Sequence, residues 1–128
     1  MVLRFRQKRR PPSHSQLESR LNGILDRIRQ IIEGHGVVLF MKGTPEFPMC
    51  GFSAQAVDAL RKAGASNYFY VNVLDDAEIR ANLPRFSNWQ TFPQLFLNGE
   101  LIGGADILTE LQECGELTRI ISELDQAA

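Results

Sequence analysis

Two sulfur atoms bound the chemistry open to this sequence. Of its 128 residues only Cys50 and Cys114 are cysteines, and the two histidines are His14 and His35. No Cys-x-x-Cys or His-x-x-x-His spacing occurs, so one chain cannot build a closed metal cage. One disulfide is the most it could form, which is no disulfide framework and points to a reducing compartment. His14 falls in a polar tail and His35 in a Gly-His-Gly turn, both expected to face solvent. The two thiols differ in setting. A Gly/Pro-containing loop, Lys42-Gly43-Thr44-Pro45-Glu46-Phe47-Pro48-Met49, carries Cys50 to the start of a helix with Gly51 beside it. Unpaired N–H groups and the positive end of the helix dipole stabilise a thiolate there. Lys42 adds a cation, and the thiolate is the nucleophilic, metal-binding form. The usual fate of an isolated cysteine is that of a small buried hydrophobe, but this setting favours a reactive sulfur. Cys114 is expected at a helix C-terminus, where the dipole opposes ionisation, and is read as a packing residue.

The elements that must position Cys50 follow from periodicity. Ser15 and Glu18 have capping-box spacing. Apolar residues then recur at Leu17, Leu21, Ile24, Leu25, Ile28, Ile31 and Ile32, one face of a helix that Gly34 ends. Residues 37–41, Val-Val-Leu-Phe-Met, read as a strand buried on both faces and central in its sheet. After the cysteine helix, with Ala54, Ala56, Val57, Leu60 and Ala63 inward, Tyr68 to Val73 read as a second strand, parallel to the first. Asp75 and Glu78 are expected to cap a short helix through Leu83, closed by Pro84. Asn98-Gly99 between Gln94-Leu95-Phe96-Leu97 and Glu100-Leu101-Ile102 is a strong hairpin signal. A helix opening at Asp106, a Gly115 cap and a last amphipathic piece to Leu124 complete the chain. The order implies an α/β domain: a four-stranded mixed sheet flanked by helices, a parallel pair extended by an antiparallel hairpin.

The charge is unevenly spread. The first ten residues hold five bases and no acid, and the remaining 118 hold nine bases against fifteen acids. A basic disordered arm over residues 1–14 and a folded domain over 15–128 are expected. The acidic domain argues against nucleic acid, although the arm alone could touch phosphates or anionic lipid. An Arg-rich start followed by Ser13 and Ser15 also has the look of an organelle transit peptide, interrupted by Pro11-Pro12. No apolar run approaches the ~18–20 residues that span a bilayer. Neither a nucleic acid nor a membrane is therefore expected as a partner. A cytoplasmic location is expected, with a mitochondrial or plastid matrix as the alternative.

Cys50-Gly51-Phe52-Ser53, preceded by Met41-Lys42-Gly43-Thr44, resembles the signature of the monothiol (CGFS-type) glutaredoxins. Ser87-Asn88-Trp89, Thr91-Phe92-Pro93-Gln94 and Gly103-Gly104-Ala105-Asp106 continue the likeness in order, over about residues 16 to 124. The resemblance implies a thioredoxin-like fold and a glutathione site. Lys42 and Arg80 would hold the glycine carboxylate. The backbone of Phe92, before a cis Pro93, would pair with the cysteine portion as an added strand. Ala105 and Asp106, at a helix start, would meet the γ-glutamyl end. Many relatives carry Cys or Ser where Ala105 stands, so a side-chain hydrogen bond there is lost. Without the family pattern, Arg80 reads equally as a solvated helix charge and Asp106 as a helix N-cap. Trp89 reads as core or loop packing. Phe52 is expected to be partly exposed, where it could shield a bound cluster.

Ser53 stands where dithiol relatives have a second cysteine. A hydroxyl does not attack a disulfide at neutral pH, so the two-cysteine cycle is closed to this chain. A [2Fe-2S] cluster generally needs four thiolates. The resemblance implies that Cys50 from each of two chains and two glutathione thiols supply them, in a cluster-bridged homodimer that passes its cargo to BolA-like and other iron-sulfur acceptor proteins. Cys50 with Cys114 from two chains is the competing set. Two rival functions remain at this level: a glutathione-dependent thiol-disulfide oxidoreductase that deglutathionylates proteins through Cys50, and an adaptor that binds proteins with no cluster.

Overall fold

The computed structural model describes residues 11–126. The first ten residues of the expected arm lie outside them, as do residues 127 and 128. The elements run α1 (His14–Gly34), β1 (Val37–Met41), α2 (Gly51–Lys62), β2 (Phe69–Asn72), α3 (Ala77–Ser87), β3 (Gln94–Leu97), β4 (Glu100–Gly103), α4 (Ala105–Glu113) and α5 (Glu116–Gln126). The strands form one sheet in the order β2-β1-β3-β4. β1 is parallel to β2 and antiparallel to β3, and β3 and β4 form the antiparallel hairpin. Asn98 and Gly99 both take positive φ, 50° and 85°, at its tip. That pair of left-handed residues matches the twist of the flanking strands.

The continuous apolar run of β1 arises because its two faces serve two cores. Leu39 and Met41 meet Ala56, Leu60, Leu108 and Leu117 from α2, α4 and α5. Val38 and Phe40 meet Ile28, Ile32, Ile79 and Leu83 from α1 and α3. Phe40 packs edge-on against Phe96, with ring centroids 5.6 Å apart. Helices therefore cover both faces of the mixed sheet, and β1 is central.

Local expectations need correcting at four places. The cap of α1 is Ser13, whose Oγ accepts from Gln16 N–H at 3.2 Å while Gln16 Oε1 accepts from Ser13 N–H at 2.8 Å. Ser-x-x-Gln is as competent a capping box as Ser15-x-x-Glu18, and it lies first after the Pro-Pro break. His14 is therefore helical. At α3 the cap is Asp76, accepting from Ile79 N–H at 3.1 Å, while Asp75 takes a different partner described below.

The third correction concerns Pro84, which lies inside α3. A proline in a helix interior costs about 3 kcal/mol. Leu83 is fully buried, and Phe86 packs against the same core. Full burial of Leu83 contributes about 1.5–3 kcal/mol and the partly buried Phe86 adds to it, so the helix runs on to Ser87 and ends at Asn88, φ 57°. Finally, Cys114 is exposed, not packed. It is the C-cap that follows Glu113 at the end of α4, and its thiol donates to the Leu111 carbonyl at 3.5 Å.

Candidate functional site

The residue after β1, the start of α2, one side of α3, the segment before β3 and the start of α4 converge on a cleft of about 810 Å³. Lys42, Cys50, Arg80, Phe92, Pro93, Ala105 and Asp106 all line it. Cys50 and each residue that the resemblance placed at a glutathione site therefore line a single cavity, and Cys114 does not. The Phe92–Pro93 peptide is cis.

Cys50 is the N-cap of α2 (φ −154°, ψ 140°), as its place before Gly51 suggested. Its thiol is held below the ordinary value of 9.0, chiefly by the Ser53 backbone N–H, against an opposing contribution from partial burial. The Phe52 N–H, the Lys42 charge and the Ser53 hydroxyl add to the lowering. These are the free donors of a helix start acting on an anion.

Ser53 itself is fully buried, and its Oγ accepts the Lys42 N–H at 3.0 Å. It thus ties the end of β1 to the first turn of α2. The loop between them is closed on itself: Met49 N–H donates to Lys42 O at 2.9 Å, and Phe47 N–H to Thr44 O at 3.0 Å. Gly43, at φ 91°, allows that closure, because a Cβ there would lie 2.5 Å from the Phe47 carbonyl oxygen and 2.6 Å from Met49 N. Phe47, Met49 and Phe52, close to Cys50 in the chain, are exposed, Phe52 at 59%.

The far wall is built by residues that periodicity did not mark. Gln94 is fully buried, and its Nε2 donates to the carbonyls of Trp89 at 2.8 Å and Thr91 at 3.2 Å, clamping the segment that carries Phe92. Trp89 also lines the cleft. Its shielded indole abuts Gly104, where an added Cβ would approach Trp89 Nε1 and the Pro93 oxygen to 3.3 Å each. Gly104, not Asp106, is the N-cap of α4; Asp106 is exposed in the first turn. Gln55 Nε2 donates to Thr109 Oγ1 at 2.7 Å, and that hydroxyl donates to Ala105 O at 3.0 Å, so α4 is latched to α2. Side-chain periodicity holds no signal for these ties: the Gln55–Thr109 bond joins residues 54 apart in the chain, and the shorter-range bonds of Gln94 depend on how the segment before β3 is folded.

The chain matches the glutaredoxin family over residues 37–102. It is 48% identical over 99 residues to Glutaredoxin 4 of Escherichia coli strain K12, covering 77% of this chain and 85% of the relative. The chain belongs to the glutaredoxin family. Among solved structures, this glutaredoxin is similar to the mature form of Trypanosoma brucei 1CGrx1, at 30% identity and a TM-score of 0.72, over 98% of this chain and 86% of that one. It also shares its fold with a buckwheat glutaredoxin–glutathione complex, at 23% identity and a TM-score of 0.71, over 88% and 96% of the two chains. The thioredoxin-like architecture expected from the resemblance is the one present. No helix among the described residues is long and apolar enough to cross a membrane.

Proposed function

We propose that this glutaredoxin acts as a monothiol carrier, binding a glutathione-ligated [2Fe-2S] cluster between two protomers and passing it to acceptor proteins, BolA-like proteins among them. The supporting observation is one thiolate-stabilised sulfur at the mouth of a cleft, with a buried hydroxyl three residues on in place of a second thiol. Lys42 and Arg80 give the cleft two cations for a peptide carboxylate, and the start of α4 presents amide donors to the other end of the tripeptide. A relative of the same fold was solved as a glutathione complex.

The donor set fits a shared cargo. Among the described residues no three metal-binding side chains lie together, and Cys114 is not among the residues that line the cleft. Four thiolates are reached with Cys50 from two chains and two glutathione sulfurs. Two of those ligands are diffusible, so release requires no unfolding.

Anaerobic reconstitution with iron, sulfide and glutathione tests this reading. A coloured dimer formed only with glutathione, and unaffected by Cys114→Ser, is the expected result. A colourless monomer, or loss of the cluster in Cys114→Ser, overturns it.

The lowered Cys50 thiol also supports an oxidoreductase reading. The thiolate would attack a glutathionylated protein, forming a Cys50–glutathione disulfide and releasing the protein thiol. A second glutathione thiolate would then free Cys50 as glutathione disulfide leaves. Turnover in a glutathione-coupled disulfide assay comparable to that of a dithiol relative would favour this second activity over the carrier.

A further inference from the structure

Lys42 and Arg80 reach the cleft from separate segments, the end of β1 and the middle of α3. One side chain joins those segments. Parallel pairing sets Met41 opposite Asn72, so the last residue of β2 lies beside the first turn of the cysteine loop. Asn72 Oδ1 accepts two backbone N–H groups, from Gly43 at 2.9 Å and from Leu74 at 3.0 Å. Its Nδ2 donates to Asp75 Oδ2 at 3.2 Å. The two donors on one atom and the carboxylate on the other fix the amide orientation. Asn72 O also accepts the Asp75 N–H at 3.0 Å, closing the turn that leads to the Asp76 cap and on to Arg80.

Gly43 follows Lys42 directly, and its left-handed backbone is tightly packed against Phe47 and Met49. A hydrogen bond to Gly43 N–H therefore sets the peptide plane that carries Lys42 into the cleft. Secondary structure cannot supply it, because the strand ends at Met41. We infer that Asn72 is a positioning residue which holds Lys42 against the cleft by its bond to Gly43, and couples that cation to the α3 segment bearing Arg80. Asp75 acts one step further out, orienting the Asn72 amide so that its oxygen faces Gly43. The consequence for ligand binding rests on the glutathione reading above; the consequence for the neighbouring sulfur does not.

The test uses the full chain and two variants. Asn72→Ala removes the acceptor. The double variant Asn72→Asp with Asp75→Asn exchanges carboxylate and amide, so that the acceptor for Gly43 and the donor–acceptor pair persist at unchanged net charge. Binding is read by amide chemical shifts during titration with S-methylglutathione, which cannot exchange thiols. Cys50 is read separately by its rate of alkylation with iodoacetamide in the Cys114→Ser background, and folding by the thermal midpoint.

Asn72→Ala is expected to raise the half-saturating S-methylglutathione concentration about fivefold, the scale of a weakened charge-assisted contact. It should slow Cys50 alkylation about twofold as the Lys42 charge moves away. The exchanged pair should restore both to within about twofold of the parent. Parent-like binding and alkylation in a folded Asn72→Ala chain overturn the inference. Equal impairment of both variants in step with their thermal midpoints also overturns it, because the role is then only structural. If the parent itself fails to bind S-methylglutathione, the glutathione reading falls, and the alkylation rates alone decide the role of Asn72.

Discussion

Ser53→Ala probes the single contact that links strand, loop and thiol. The Ser53 hydroxyl is fully buried and accepts the Lys42 N–H at 3.0 Å, and it also favours the Cys50 thiolate. Alanine removes one oxygen and leaves the Lys42 N–H facing a methyl group. A buried donor left without its partner costs about 1–3 kcal/mol. Lys42 is only partly buried, so the lower half of that range, about 1–2 kcal/mol, is expected. For a domain of this size that corresponds to a fall of about 3–8 °C in thermal midpoint. The thiol should respond in a fixed direction. The Ser53 backbone N–H, the largest cause of the lowered value, survives in alanine, whereas the hydroxyl's share is lost. The midpoint of Cys50 alkylation against pH should therefore rise, yet stay below 9.0, the ordinary value. Urea unfolding and an iodoacetamide pH profile in the Cys114→Ser background measure the two effects. A variant as stable as the parent, or one whose alkylation midpoint falls, refutes the assignment of both hydrogen bonds to this oxygen.

Three further outcomes follow from the same geometry. Gly43→Ala should cost at least about 2 kcal/mol in chemical denaturation, because its Cβ would meet the Phe47 oxygen at 2.5 Å from a left-handed backbone; parent-like stability would mean that the loop rearranges freely. Asp76→Ala removes the α3 cap to Ile79 and the ion pair with Arg27, for a loss of about 1–2 kcal/mol by urea unfolding, and Asp76→Asn should recover most of the cap. The stability difference between the parent and Cys50→Ser should depend on pH. The folded thiol titrates below its unfolded value of 9.0, so the thiolate's contribution is fully present above that value and is lost as pH falls through the folded one; urea midpoints of both proteins across that window should diverge upward in pH, and parallel curves would contradict a stabilised thiolate.

Much of the site's chemistry was legible locally. A sulfur after a Gly/Pro loop and before a helix must meet free amide donors, whatever the rest of the fold does, and Cys50 does so as an N-cap. Arg80 and Asp106 were different. Periodicity alone left them a helix charge and a helix cap, and only the likeness of ordered motifs to a known family brought them to the thiol. Asn72, Gln94 and the Gln55–Thr109 latch carried no local mark, because an amide side chain reads the same wherever its partners lie. Cys114 was misjudged because its place at the end of α4 falls in a stretch, residues 113–115, that is exposed throughout.

The amino-acid order by itself determined the element sequence, the hairpin at Asn98-Gly99 and the ionisable character of Cys50, since each depends on side-chain period or on backbone groups within a few residues. Tertiary packing decided that α3 continues through Pro84, that Asp76 caps it in place of Asp75, and that Asn72 lies opposite Met41. Those outcomes turn on which buried contacts outweigh a local preference. The register of β1 against β2 and β3, with helices packed on both faces, brings residues from distant segments to one cleft.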